Sequence, residues 1–222
     1  MTPKEIIDQL RCQVEKQDCY TERECAEHLS NISHILLPAL DELYYVDSEL
    51  NCYSGRADLT IIADRIGPGG QRRVAYIWEL KAPQLYLFKM ETKSRACPYL
   101  HFFEAENQLL HYHNELAVGS FRDKWKISYN DVLLGGIIIG RNDKLVKCKN
   151  REKYKNAEAQ AKIAMDIRIN LFYKPNRMDL LTWDQVLWLA ENFVNSHQKH
   201  LGDPEEMVDY SASVPFTIPP SE

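Results

Sequence analysis

Residues 55–63 and 74–81 carry apolar side chains on both of their alternating faces, and they flank Gly67-Pro68-Gly69-Gly70. Short apolar runs bounded by glycine and proline read as strands, and the cluster between them reads as a turn over residues 65–73. A strand that is apolar on both faces needs cover on both. This hairpin therefore cannot stand in an open, half-solvated sheet; it calls for helices packed above and below.

The rest of the chain supplies those helices. Ile6, Leu10 and Val14 recur at helical spacing within residues 3–16, and Thr21-Glu22-Arg23-Glu24 opens a second helical stretch towards Leu29. Residues 36–45 are short, apolar and broken by Pro38. Within 102–116, Ala105, Gln108, Leu109, Tyr112 and Leu116 fall on one helical stripe. Residues 132–139 form a third buried strand that ends in Gly140-Arg141, and residues 150–172 a long helix through Tyr154, Ala157, Ala161, Ala164 and Leu171. A fourth strand is expected over 178–181. Thr182-Trp183-Asp184-Gln185 has the form of a capping box and starts a helix running to about Val194. The expected fold is α/β, a central mixed β-sheet flanked by helices. Its parts are an N-terminal helix in 1–20, the main domain in 21–200 and a proline-rich acidic tail in 201–222.

Composition narrows the function classes. The 222 residues carry a formal net charge of −5, which argues against indiscriminate nucleic-acid binding but allows a local basic patch. No apolar run approaches the ~20 residues of a membrane span. Met1-Thr2-Pro3-Lys4-Glu5 leads into an amphipathic pattern and not a secretory core, so a soluble, cytoplasmic protein with no membrane partner is expected. The six cysteines form no Cys-x-x-Cys pair and are expected as reduced thiols without zinc.

The chemistry concentrates on the hairpin. Residues two apart on a strand share a face, so Glu79 and Lys81 project together while Leu80 points away. A turn centred on Pro68-Gly69 pairs residues whose numbers sum to 137, as those of Asp58 and Glu79 do. The two carboxylates would then stand opposite each other with Cβ atoms ~5 Å apart; a bulge in the turn would shift this by one residue. Two like charges in a dry site repel and lose hydration, and a divalent cation relieves both costs. Mg²⁺ takes one or two carboxylates and leaves positions for water and a substrate phosphate. Charge spacing alone also fits a structural cluster, and Glu91-Thr92-Lys93 repeats the Glu-x-Lys pattern in a polar region with no chemistry assigned to it.

The arrangement resembles the PD-(D/E)XK nuclease superfamily, and beyond it the nuclease domain of Shedu-type bacterial anti-phage defence proteins. The matching pieces span residues 22–190 in the family's order. They are Ala57-Asp58-Leu59, Trp78-Glu79-Leu80-Lys81-Ala82-Pro83, Gln108-Leu109-Leu110-His111-Tyr112, Gly136-Ile137-Ile138-Ile139-Gly140-Arg141, and Leu181-Thr182-Trp183-Asp184-Gln185-Val186-Leu187. The resemblance implies a restriction-endonuclease-like core and a DNA endonuclease that uses Mg²⁺, with Mn²⁺ as a substitute. Asp58 and Glu79 would ligate the metal with the Leu80 carbonyl, Lys81 would position or activate water, and Gln108 would orient Lys81 or substrate, or else be an ordinary helix residue. An acid on the first core helix is expected at Glu24, chosen among Glu22, Glu24 and Glu27. The resemblance also implies double-stranded DNA as partner, a homo-oligomer, and a regulatory partner or activator. Two departures stand out: Ala57 replaces the usual proline before Asp58, and the large regulatory region of many Shedu proteins is not evident.

The run Arg141, Lys144, Lys147, Lys149, Arg151, Lys153 and Lys155 reads either as a solvated helix entry or as a phosphate-backbone footprint, extended by Lys89, Lys93 and Arg95. His111 and His113 lie two apart on a helix and cannot share one metal ion. No phosphate-binding P-loop or Gly-x-Ser-x-Gly element occurs. The competing expectation is a non-catalytic nucleic-acid-binding or assembly module with the same fold.

Overall fold

The computed structural model describes residues 1–17, 19–148 and 154–201, the last five as backbone. Helices α1 (Pro3–Glu15) and α2 (Glu22–Ser30) lead through a 3₁₀ turn into β1 (Asp41–Asn51). Strands β2 (Arg56–Gly67) and β3 (Gly70–Leu80) follow, then a small hairpin of β4 (Phe88–Thr92) and β5 (Arg95–Pro98). Next come α3 (Leu100–Val118), the short α4 (Phe121–Trp125), β6 (Val132–Ile138) and β7 (Val146–Lys147). The described chain closes with α5 (Ala157–Arg168), β8 (Asp179–Leu181) and α6 (Trp183–Leu201).

The central sheet is mixed, in the order β1-β2-β3-β6-β8. Strands β1, β2 and β3 are antiparallel, while β6 runs parallel to β3 and β8 parallel to β6. A second sheet has the order β5-β4-β7. The α/β expectation holds, and so does its reason. Leu59, Ile61, Val74, Tyr76 and Trp78 face a core built with α1, α2 and α6, whereas Ile62, Ala75, Ile77 and Ile137 face a second core built with α3 and α5. Ile6, Ile7, Leu10 and Val14 bring α1 into the first of these cores.

The hairpin is longer and tighter than the glycine cluster suggested. Its strands run to Gly67 and Gly70, so the turn shrinks from residues 65–73 to Pro68-Gly69. From Gly67↔Gly70 to Leu59↔Trp78 every pair sums to 137 with no bulge. Strand β1 and the small β4–β5 hairpin occupy stretches that sequence periodicity did not assign to strands. The expected helix over 150–172 is regular only over Ala157–Arg168, and residues 149–153 lie outside the described ones. A π-helical turn over Ile169–Tyr173 then shifts the phase, leaving Leu171 exposed and burying Tyr173 in the core. The capping box forms: the Thr182 N–H donates to Gln185 Oε1 at 2.8 Å and the Gln185 N–H to Thr182 Oγ1 at 3.4 Å. Residues 202–222, which include the expected tail, lie outside the described residues. Among the described residues, no helix is long and apolar enough to cross a membrane.

Candidate active site

The site forms where β2 begins and β3 ends. The hairpin register, continued one pair beyond Leu59↔Trp78, sets Asp58 across from Glu79 on the face covered by α3. Burial is the dominant electrostatic fact here. Glu79 is 1% exposed, and loss of hydration, then the neighbouring Asp58 charge, push its pKa up to about 8. Burial also raises Asp58 above the ordinary carboxylate range, although the Leu80 N–H donates to its Oδ2 at 2.8 Å. The two acids raise each other's cost of ionising, and the more deeply buried Glu79 is shifted further than Asp58.

Lys81 completes the group. Its Nζ donates to Glu79 Oε1 at 2.5 Å, and Glu79 Oε2 is buried with no hydrogen-bond partner. Burial works against the lysine's charge, but Glu79, Asp58 and Glu22 together hold its pKa above the usual value. The strand's exit is anchored from below. The Lys81 N–H donates to the Ile138 carbonyl at 2.8 Å, and its carbonyl accepts from Trp183 Nε1 at 2.7 Å. These bonds fix the lysine's backbone while its head remains able to choose partners.

Of the three acids on α2 considered from the sequence, Glu22 is the one the structure places beside Asp58 and Lys81, whereas the expected Glu24 faces solvent. Glu22 Oε2 accepts from the Ala82 N–H at 3.0 Å, and its pKa is raised by burial, with Lys81 opposing and Asp58 adding to the shift. Glu24 and Glu27 are exposed. Helix phase explains the choice: Glu22 lies three and seven residues before the buried Cys25 and Leu29, on their stripe, and Glu24 does not.

Helix α3 lines the opposite wall. Gln108 borders a cleft with Lys81, Glu22, Tyr20 and His101, and its buried Oε1 has no hydrogen-bond partner. One turn on, the Tyr112 hydroxyl packs against the Gly55 backbone, and burial followed by the Glu79 and Asp58 charges raises its pKa. Another turn on, the Glu115 carboxylate accepts from the Ser54 N–H at 3.1 and 3.2 Å. Tyr112 and Glu115 thus grip the turn delivering Asp58, while Gln108 faces the cleft. Sequence reading placed Tyr112 on the inward stripe but gave it no role.

A second cleft, bordered by Glu22, Glu49, Asp58 and Leu80, opens on the other side of Glu22. Buried acceptors without donors are what a hard cation satisfies. Glu79 Oε2, buried without a donor, and the neighbouring Asp58 carboxylate are oxygens of the kind such an ion takes. Among the described residues no group of three or more His, Cys, Asp or Glu side chains is arranged to hold a metal.

The expected basic footprint is only partly a surface. Lys144 and Lys147 lie over tyrosine rings. Arg141 is turned inward, at 17% side-chain exposure, with Asp143 at 3.2 Å and Nη1 donating to the Val14 carbonyl at 3.3 Å. Lys149, Arg151 and Lys153 lie outside the described residues. The histidines do not converge: His113 bonds the Val132 carbonyl and His101 pairs with Glu104. Cys12, Cys19, Cys25, Cys52 and Cys97 are free thiols. The chain matches no protein-family model and no curated protein sequence.

Proposed function

We propose that this chain is a Mg²⁺-dependent endonuclease of the PD-(D/E)XK kind, acting on double-stranded DNA in the manner of Shedu-type defence nucleases. The observation that carries this reading is the meeting of Asp58, Glu79 and Lys81 in one desolvated group beside two clefts. A like-charged buried pair costs stability unless a partner offsets it. Such a cost is a common mark of a functional site.

Bound Mg²⁺ supplies a Lewis acid for the phosphate and lowers the pKa of its water. The chain's own residues do the rest. Asp58 and Glu79 would present ionised carboxylate oxygens to the cation, the proton of Glu79 passing to solvent. Lys81 moves from Glu79 Oε1 to the attacking water or the phosphate oxygen, holding charge where it develops. Gln108 offers its unsatisfied amide to Lys81 or to the substrate, and Glu22 keeps the Ala82 backbone at the mouth of the cleft. Cutting both strands of a duplex calls for two such sites, hence a homo-oligomer working in the cytoplasm.

The test is incubation of the pure protein with plasmid and linear DNA, with Mg²⁺, Mn²⁺ or EDTA, alongside Glu79→Ala. Cleavage that requires the metal and vanishes in the variant is expected. Wild-type protein that binds DNA identically with and without Mg²⁺ and never cuts it would replace this reading with a non-catalytic binding module.

A further inference from the structure

The small sheet beside the cleft carries an arrangement of charge that its own fold does not explain. Strands β4 and β7 pair in parallel with Lys89 in register with Lys147, both exposed. Neighbouring strands lie ~4.8 Å apart, and like charges side by side on a sheet are destabilising. Lys147 Nζ stands 5.1 Å from the centre of the Tyr99 ring and 6.0 Å from that of Tyr86, and donates to the Tyr99 hydroxyl at 3.2 Å. Lys144 Nζ lies 5.5 Å from the Tyr86 ring centre.

The acids nearby are already engaged: Asp143 with Arg141, Glu91 with Arg95 and Glu104 with His101. Among the described residues, no carboxylate pairs with Lys89, Lys144 or Lys147. The aromatic rings hold two of these ammonium groups in place without neutralising them. Tyr99 packs beside His101, with ring centres 6.2 Å apart, and His101 borders the cleft that contains Lys81.

We infer that Lys144 and Lys147, seated on Tyr86 and Tyr99, with Lys89 in register beside Lys147, are the phosphate-backbone track that leads DNA past His101 to Lys81. This rests on the nuclease reading for its substrate. The contacts are to phosphates, so the track binds without regard to sequence. Preorganised cations lose less side-chain freedom on binding, which gives an acidic protein a local grip on a polyanion.

The experiment is anisotropy of a labelled DNA duplex in EDTA, titrated across salt from about 50 to 200 mM. Each phosphate contact contributes about 0.9 to the slope of log affinity against log salt. The triple variant Lys89→Ala/Lys144→Ala/Lys147→Ala is expected to lose about 2.7 from that slope, and triple replacement by arginine to restore it. Lys4→Ala/Lys174→Ala, elsewhere on the surface, is expected to keep the wild-type slope. A triple alanine variant with the wild-type slope, or a wild type that binds no duplex, overturns the track. Mg²⁺-dependent cleavage is scored separately on the same proteins. An unchanged slope with cleavage intact removes the track and leaves the nuclease reading; a lost slope in a protein that never cuts DNA keeps the track and removes the nuclease reading.

Discussion

A Cβ added to Gly55, three residues before Asp58, would sit 2.8 Å from the hydroxyl of Tyr112 on α3. The approach ties the helix to the first residues of the strand that carries a candidate ligand. Tyr112→Phe removes the hydroxyl packed against this turn and should cost no more than about 1 kcal/mol of stability, while lowering cleavage by more than that loss accounts for. Gly55→Ala crowds a rigid ring, with a cost of about 1–3 kcal/mol. Urea unfolding and initial cleavage rates on the same preparations check both. Full activity in Tyr112→Phe would show that the hydroxyl only packs.

The raised pKa values of Asp58 and Glu79 set a direction for pH. Both carboxyls are raised in the folded protein, so between the ordinary range near 4.5 and about 8 the native state binds more protons than the unfolded chain. Stability therefore falls as pH rises through that window. Wild-type protein without divalent ions should show a Tm that declines from pH 5 to pH 8 more steeply than Glu79→Gln does. Added Mg²⁺ should recover stability at the alkaline end, since the cation competes with the proton for the same oxygens. Parallel Tm profiles for the two proteins would remove Glu79 as the source.

Gly140 stands at φ 61°, where a side chain costs about 1–2 kcal/mol. Its added Cβ would also meet the Leu85 carbonyl oxygen at 2.6 Å. Its N–H donates to the Ala82 carbonyl at 3.4 Å and its carbonyl accepts from the Trp183 N–H at 3.0 Å. Gly140→Ala should cost about 2–5 kcal/mol by strain and crowding together. Because it displaces the segment just after Lys81, activity should fall even at temperatures where the variant stays folded. Circular dichroism melts paired with cleavage assays separate the two effects.

Arg141 invites the opposite expectation from Lys147, although both belong to one basic run. Its guanidinium reaches Asp143 and the Val14 carbonyl, joining α1 to the loop after β6. Arg141→Ala should lower stability by about 1–3 kcal/mol through the groups left unpaired, and should leave the salt dependence of DNA binding as it is. Denaturation and anisotropy on one preparation decide it.

The hairpin, the buried sheet and the nearness of Asp58 to Glu79 were legible because turn residues and a period of two fix a register. Strand β1 was not, because Asp41–Asn51 is an edge strand whose mixed, largely exposed residues show no apolar alternation. The short polar hairpin β4–β5 hid for the same reason. Glu22 could have been preferred to Glu24 by following the Thr21, Cys25 and Leu29 stripe. The inward turn of Arg141 and the grip of Tyr112 on the Gly55 turn depend on distant partners, and no local pattern announces them.

The unbroken register of the β2–β3 hairpin makes the tip at Pro68-Gly69 a remote determinant of chemistry. Nine residues separate Gly67 from Asp58 along β2, roughly 30 Å of strand, yet the count between them decides which carboxylate meets which. Inserting or deleting a single residue beyond the tip, if the pairing slid to absorb it, would carry Glu79 to the opposite face and bring Trp78 or Leu80 into its place. Loop length at the solvent end is thus inherited, residue by residue, as charge placement at the buried end.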